Sequence, residues 1–396
     1  MPDRQVAMTA THAGRPVYLD NAATTAVDPR VAAVMAAYLT EEGVYGNPSS
    51  TAHAFGREAA RCIEAARAEV AALMSAEPGE IVFTSGATEA SNLAILGTAR
   101  ANADRRRHLV TARTEHRATL DPMRRLEKEG FAVTWLTPDR EGRLDARDVR
   151  AALRPDTLLV SIMHVNNETG VVQDVAAIGA VCRAAGVLFH CDLAQGVGKL
   201  PTAFAGLIDF GSFTAHKFHG PKGVGALYVA AAARPWLAPI MFGGGQERGL
   251  RSGTLATHQI AGFGRACALV RMEAGSDAVR MKALRAALWR SLADLSDVHL
   301  NSPLEGGSPA ILNVSFEGVE GESLVTALAG IAVSTGSACS SATAEPSYVL
   351  RALGRSAELA QSSLRFSLGR FTSEADIARA GEAVKHAVTR LRSVAP

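Results

Sequence analysis

Residues 187–229 read VLFHCDLAQGVGKLPTAFAGLIDFGSFTAHKFHGPKGVGALYV, and this stretch decides the fold. It holds three short apolar runs, VLFHCD (187–192), IDFGSFTAH (208–216) and GVGALYV (223–229), punctuated by Gly and Pro. Runs without strict alternation belong to strands buried on both faces, as in a parallel sheet. Outward toward the N-terminus the pattern repeats in TLLVSIMHV (157–165), FAVTWL (131–136), HLVTA (108–112) and IVFTS (81–85). Helical patterns intervene from about Thr88, from about Arg117 and over Val175 to Ala184. Ahead of them stand a short strand, VYLD (17–20), a helix opened by Asp28-Pro29 and running to about Leu39, and an Ala/Glu/Arg-rich helix from Phe55 to Met74. This strand–helix alternation predicts a large α/β domain over 15–265. Outward in the other direction the spacing predicts helices over about Leu255–Ala274 and Asp277–Leu295, strands AILNVSF (310–316) and SLRFSL (363–368), and a helix from Glu374 to Leu391. Residues 266–396, with 1–14, therefore read as a smaller α+β domain.

With 396 residues the chain has room for about two or three compact units. Apolar residues make up 47% and charged ones 20%, which excludes a largely disordered chain. Lys and Arg total 41 against 39 Asp and Glu, a balance unlike that of a dedicated nucleic-acid or membrane-surface binder. Aromatics at 5% also argue against a stacking platform for single strands. The most apolar candidate span, Val224 to Phe242, is interrupted by Arg234, Pro235 and Pro239, whereas a membrane helix needs about 20 mostly apolar residues. The first fifteen residues lack an apolar core for a secretory signal, so a cytoplasmic protein is expected. Five cysteines, an odd number with no C-x-x-C pair, predict neither a disulfide framework nor a structural metal site.

Four segments carry chemistry. Only six of the 41 basic residues are lysines, and Lys217 follows the apolar run SFTAH directly. In a chain that so prefers Arg, a Lys there suggests use of its amine, which can lose a proton and form a Schiff base. A plain surface lysine is the other reading, and Lys222, between Pro221 and Gly223, is the competitor. TSGATE (84–89) stands at a strand-to-helix junction, where free backbone N–H groups and the Thr88 hydroxyl could hold a phosphate or simply cap the helix. Asp192 ends an apolar strand, the edge at which open α/β sheets bind ligands, and could pair with a protonated ring nitrogen or cap the next element. Cys339 lies in STGSACSSATAEPS (334–347), a run of small polar residues with no packing role for it, so it is either the reactive thiol or a tolerated exposed one. Cys62, Cys182, Cys191 and Cys267 fall in helix or strand patterns and read as small buried hydrophobes.

Taken together, YLDNAATT (18–25), YGNPSS (45–50), FTSGATEASNLAI (83–95), TEHRATLD (114–121), SIMHVNNETGVVQD (161–174), HCDLAQGVGK (190–199), SFTAHKFHGPKGVGALY (212–228), GGGQERGLRSGT (243–254), STGSACSS (334–341), EPSYVLRALG (345–354) and SSLRFSLGRF (362–371) resemble the cysteine desulfurases of the IscS/NifS type. The resemblance runs from about Tyr18 to Leu391. It implies the fold type I architecture of pyridoxal 5'-phosphate enzymes, a mixed, mostly parallel sheet in the large domain and the reactive cysteine on the small one. It also implies that Lys217 holds the cofactor, Asp192 faces its pyridine nitrogen, Gln195 its phenolic oxygen, and His116 stacks on the ring. Ala87, Thr88, Thr214 and His216 would hold the phosphate, with Thr254 supplied by the other subunit of a homodimer. Asn167 and Arg365 would grip the carboxylate of L-cysteine, and Cys339 would take its sulfur as a persulfide, leaving alanine. Implied partners are sulfur acceptors such as an iron–sulfur scaffold or a tRNA-thiolation carrier; no metal and no direct nucleic-acid contact are implied. A compact R-x-G-[HN]-H-C-A segment marks the SufS-like branch, and the longer Ser/Gly-rich loop here points to the IscS/NifS branch instead. Thr214-Ala215 stands where Ser-Gly is frequent, and Leu193-Ala194 where Ala-Thr is. The chain stops at Pro396, short of the tail that many relatives use to dock a scaffold. The alternatives are a selenocysteine lyase or another pyridoxal-phosphate enzyme of the same fold.

Overall fold

The computed structural model describes residues 15–335 and 345–394. Its strands begin with β1 (Val17–Tyr18), β2 (Ile81–Thr84), β3 (His108–Ala112), β4 (Ala132–Leu136) and β5 (Thr157–Ser161). They continue with β6 (Leu188–Asp192), β7 (Phe210–Thr214), β8 (Gly225–Val229), β9 (Val298–Leu300) and β10 (Ile311–Phe316), and end with β11 (Ile331–Ala332), β12 (Ser334–Thr335) and β13 (Ser363–Ser367). Among the helices are α1 (Pro29–Ala36), α2 (Ala54–Met74), α3 (Ala87–Asn92), α4 (Thr98–Ala101), α5 (Arg117–Lys128), α6 (Ala146–Ala152), α7 (Val175–Ala184) and α8 (Thr257–Leu292).

Seven strands form the main sheet in the order β2-β8-β7-β6-β5-β3-β4. All its pairings are parallel except those of β8, which runs against both β2 and β7. The run GVGALYV departs from its parallel neighbours for a geometric reason. Only residues 215–224 separate it from β7. A parallel return needs a crossover of about a dozen residues or more, usually a helix. Strands β2, β3 and β5 to β8 are buried along their whole length or nearly so, which is why their sequences show no alternation.

A second sheet, in the order β12-β13-β10-β9, is antiparallel, and β1 pairs with β11 beside it. The N-terminal segment thus packs with the C-terminal part of the chain, and an Asp20–Ser367 bridge extends that contact. Ahead of the main sheet, α2 buries Ala59, Ile63, Ala66, Val70 and Met74, a stripe at helical spacing. This stripe packs on α8, where the helices approach so closely that a Cβ at Gly264 would lie 2.7 Å from Ala66.

Helices expected on either side of residue 275 are one helix, α8. Gly275 lies within it and touches no side chain. A glycine weakens a helix by about 1 kcal/mol relative to alanine, too little to break one whose two halves are separately anchored. The expected limit at residue 265 falls inside this helix. Its first half packs Ile260, Phe263, Cys267 and Val270 into the core against the main sheet, and its second half packs Met281, Leu284, Leu288 and Leu292 into the core of the second sheet.

Candidate active site

The main sheet delivers its polar residues at the carboxyl ends of the parallel strands, where an α/β sheet opens a crevice. Asp192 is the last residue of β6, and Gln195 follows in the next turn. Thr214 ends β7 and passes directly into a single 3-10 turn, Ala215–Lys217, that carries His216 and Lys217. Beyond β2, Ser85 and Gly86 lead into α3, whose first residues are Ala87 and Thr88. This helix continues through a π turn, Leu93–Gly97, into α4, so the junction caps one unbroken helical run. His116 is the N-cap of α5, and Asn167 lies in the loop beyond β5. From the second sheet comes Arg365 of β13, with Asp20 and Ser334 beside it.

These residues line one cavity of about 680 Å³, with Lys217, Asp192, His116, Asn167 and Arg365 all on its wall. Lys217 Nζ donates to the carbonyls of Ala22 and Ala23, each at 2.7 Å. Lys222 also lines the cavity but is exposed. Asp192 is buried, with Oδ1 accepting from the Ala194 N–H at 2.9 Å, and among the described residues it forms no ion pair. Burial raises its pKa against the opposing pull of His116 and Lys217. His116 Nδ1 accepts from the Ala118 N–H at 3.1 Å, so the neutral ring carries its proton on Nε2. Burial lowers its pKa, and nearby Lys217 adds to that while Asp192 opposes it. His216 is brought down to about 4 by burial and by Lys217, Lys222 and Lys199. Its Nδ1 lies 3.1 Å from Thr24 Oγ1, and the Thr214 hydroxyl donates to the Val224 carbonyl at 3.0 Å.

Arg365 spans the gap between the sheets. Its Nη1 donates to the Asn167 carbonyl and its Nη2 to Asp20 Oδ1, both at 2.9 Å. Its Nε and the Asn167 Oδ1 are buried polar atoms without a hydrogen-bond partner among the described residues. Unpartnered buried polar atoms point to a ligand. A buried unpaired carboxylate, a lysine amine, an opened helix start and a guanidinium with an unpartnered Nε fit the ring nitrogen, aldehyde, phosphate and carboxylate of pyridoxal phosphate with its amino-acid substrate.

Thr254 is exposed and does not line this cavity. Cys339 lies outside the described residues. Of the other thiols, burial lifts Cys182 to about 12, Cys191 and Cys267 well above the usual range, and Cys62 upward, so none is a ready thiolate. Sequence reasoning missed Asp20, Lys199, Glu89 and Glu115. Glu89 takes the Ser85 N–H at 2.7 Å and pairs with Arg251 at the same distance. Glu115 is fully buried and accepts from the Met163 N–H, and burial raises its pKa well above the usual carboxylate range. Lys199 had a legible signal, since the scarcity of lysine that singles out Lys217 applies to it equally.

The model of the family "Aminotransferase class-V" matches residues 17–380. A cysteine desulfurase IscS of Escherichia coli O139:H28 is 54% identical over 382 residues, 96% of this chain and 95% of the relative. Among solved structures, a NifS-like protein superposes with a TM-score of 0.88 at 37% identity, covering 96% of this chain and 100% of the other. SspA in complex with cysteine gives a TM-score of 0.79 at 37% identity, over 90% of this chain and 99% of the other.

Proposed function

The chain belongs to the class-V aminotransferase family and is a pyridoxal-phosphate-dependent cysteine desulfurase of the IscS/NifS type, and from that premise we propose how its own residues share the work. Lys217 holds the cofactor through its amine and afterwards holds the proton taken from the substrate Cα. Asp192, buried and without a cation of its own, keeps the ring nitrogen protonated. The start of α3 at Ala87 and Thr88, with Thr214 and His216, receives the phosphate, and Thr254 of the partner subunit completes that site. Arg365 and Asn167 receive the carboxylate of L-cysteine, with the free Nε of Arg365 and its Nη2 forming the edge of the fork. When bound, the cofactor supplies an electron sink for charge developing at Cα.

Cys339 then attacks the substrate sulfur. A sulfur–sulfur bond forms, the carbon–sulfur bond breaks with its electron pair passing to the carbon skeleton, and protonation there yields alanine. His116, whose neutral ring bears its proton on Nε2, donates a hydrogen bond from that atom into the cavity and is not the first base. The persulfide passes to an acceptor thiol of an iron–sulfur scaffold or a tRNA-thiolation carrier, and the enzyme works as a cytoplasmic homodimer. Among the described residues no helix is long and apolar enough to cross a membrane, and no cluster of His, Cys, Asp or Glu would hold a metal.

The observation that carries this assignment is the meeting of Asp192, Lys217 and Arg365, from two sheets, on one cavity wall. Borohydride reduction of the holoenzyme followed by peptide mapping should place the pyridoxyl mass on Lys217. Lys217→Ala should lose it together with turnover, and Lys222→Ala should keep both. After L-cysteine treatment, added sulfur should map to Cys339 and be absent in Cys339→Ser; sulfur on Cys62, Cys182, Cys191 or Cys267 would overturn the assignment.

A further inference from the structure

Behind Lys217 lies a second buried amine that none of the roles above uses. The turn after β6 is forced into place by glycine. Gly198 takes a left-handed φ of +77°, and a Cβ there would meet Phe218 Cβ at 2.7 Å. This close approach sets Lys199 beneath the main chain of Lys217. The Lys199 Nζ lies 3.2 Å from the Lys217 carbonyl oxygen and 3.4 Å from Gln195 Oε1. Gln195 in turn donates from Nε2 to the Ala22 carbonyl at 2.8 Å, the same oxygen that accepts from Lys217 Nζ at 2.7 Å. Lys199, Gln195, Ala22 and Lys217 thus form a closed ring of hydrogen bonds.

The chemistry of this ring fixes which way the Gln195 amide faces. Ala22 offers a carbonyl, which can only accept, so the amide nitrogen must sit at that end. Lys199 supplies the matching donor for the amide oxygen. A flipped amide would set oxygen against oxygen at Ala22 and leave Lys199 facing an NH2 group. One hydrogen of Nε2 goes to Ala22, which leaves the second for an acceptor bound in the cavity that Gln195 lines.

We infer that Lys199 is a positioning residue, holding the Gln195 amide so that it presents N–H, never C=O, to the phenolic oxygen of the cofactor while tethering the main chain of Lys217. The inference rests on the reading that sets Gln195 against that oxygen. Burial and the neighbouring Lys217 bring Lys199 down to about 7, and in either protonation state the amine carries a hydrogen for each of its two acceptors.

The test titrates apoenzyme with pyridoxal phosphate and records the dissociation constant and the position of the visible band. Lys199→Met should weaken cofactor binding about fivefold, the worth of one hydrogen bond, and shift the band. In a Gln195→Ala background the same change should add less than about twofold, because Lys199 acts through that amide. Lys199→Gln, a neutral side chain with two N–H donors, should stay within about twofold of wild type. Wild-type affinity and spectrum in Lys199→Met would overturn the inference, as would an undiminished effect without Gln195. If Lys199→Met does not fold, Lys199→Gln decides alone, and its loss of affinity or failure to fold counts against the role. Peptide mapping of borohydride-reduced wild-type enzyme separates the two levels. A pyridoxyl mass away from Lys217 sinks the site assignment, whereas a mass on Lys217 with an indifferent Lys199 sinks only this inference.

Discussion

Glu168 is fully buried two residues before Gly170, and one of its oxygens accepts from the Ser347 hydroxyl. Burial pushes its pKa up to about 7, although Ser347 and Arg365 pull the other way. In the unfolded chain a glutamate titrates near ~4.5, so the unfolded state ionises first as pH rises. The contribution of this carboxyl to stability is therefore whole at low pH and lost between ~4.5 and about 7. Glu168→Gln removes that loss. Measured as melting temperature, the variant should gain on wild type by a few degrees between pH 5 and pH 7.5, roughly the titration window. A difference that stays flat across that range would show that Glu168 does not titrate there. At this scale the sequence spoke through chemistry already implied by position. Asp192 ends one apolar strand and Lys217 follows another by a single turn, and such ends face the crevice. Glu168 and Glu115 were silent because their effect comes from burial by residues far along the chain.

Consider next the segment between β8 and α8. Glu247 and Arg248 both hold left-handed backbone, with φ of 49° and 57°, a conformation that disfavours ordinary side chains by about 1–2 kcal/mol each. A buried fork offsets that strain. Arg67 of α2 meets the two Glu247 oxygens at 2.7 and 2.8 Å, and Glu247 also accepts from the Phe83 N–H at 2.7 Å. Removing one partner strands a buried charge, which costs about 3–5 kcal/mol. Glu247→Ala should therefore lower the denaturation midpoint sharply, while Arg67→Met with Glu247→Met together should cost less than the two single changes summed. Strict additivity in that cycle would refute a working pair. Such a clamp was not legible, since nothing in GGGQERGLRSGT names a partner 180 residues upstream. The elements themselves were legible where one pattern ruled: Val175 to Ala184 and the start of α5 at Arg117 follow the sequence to the residue. The split at residue 275 failed because a lone exposed glycine weighs less than two cores.

For the whole molecule, the exposed position of Thr254 bears on assembly. Phe242, in the same segment, is 82% exposed, and a large aromatic so displayed suits a covered interface better than solvent. The active unit should be a dimer with two shared phosphate sites. Sedimentation at assay concentration should show it, and Phe242→Asp should shift it toward monomer with loss of turnover. A monomer that retains full activity would end the shared-site reading.

Helix α8, at about 1.5 Å per residue over its 36 residues, is a rod laid across both cores. Asp192 belongs to the sheet that packs on its first half and Lys217 to the turn that follows a strand of it, and Arg365 belongs to the sheet that packs on its second. The distance between the amine proposed to act at Cα and the fork proposed to take the carboxylate is thus gauged by one continuous helix and not by a pliant linker. On the proposed roles, an amino acid would fit that gauge at its backbone end, whatever its side chain, and its sulfur would be left to project toward a thiol brought in from elsewhere.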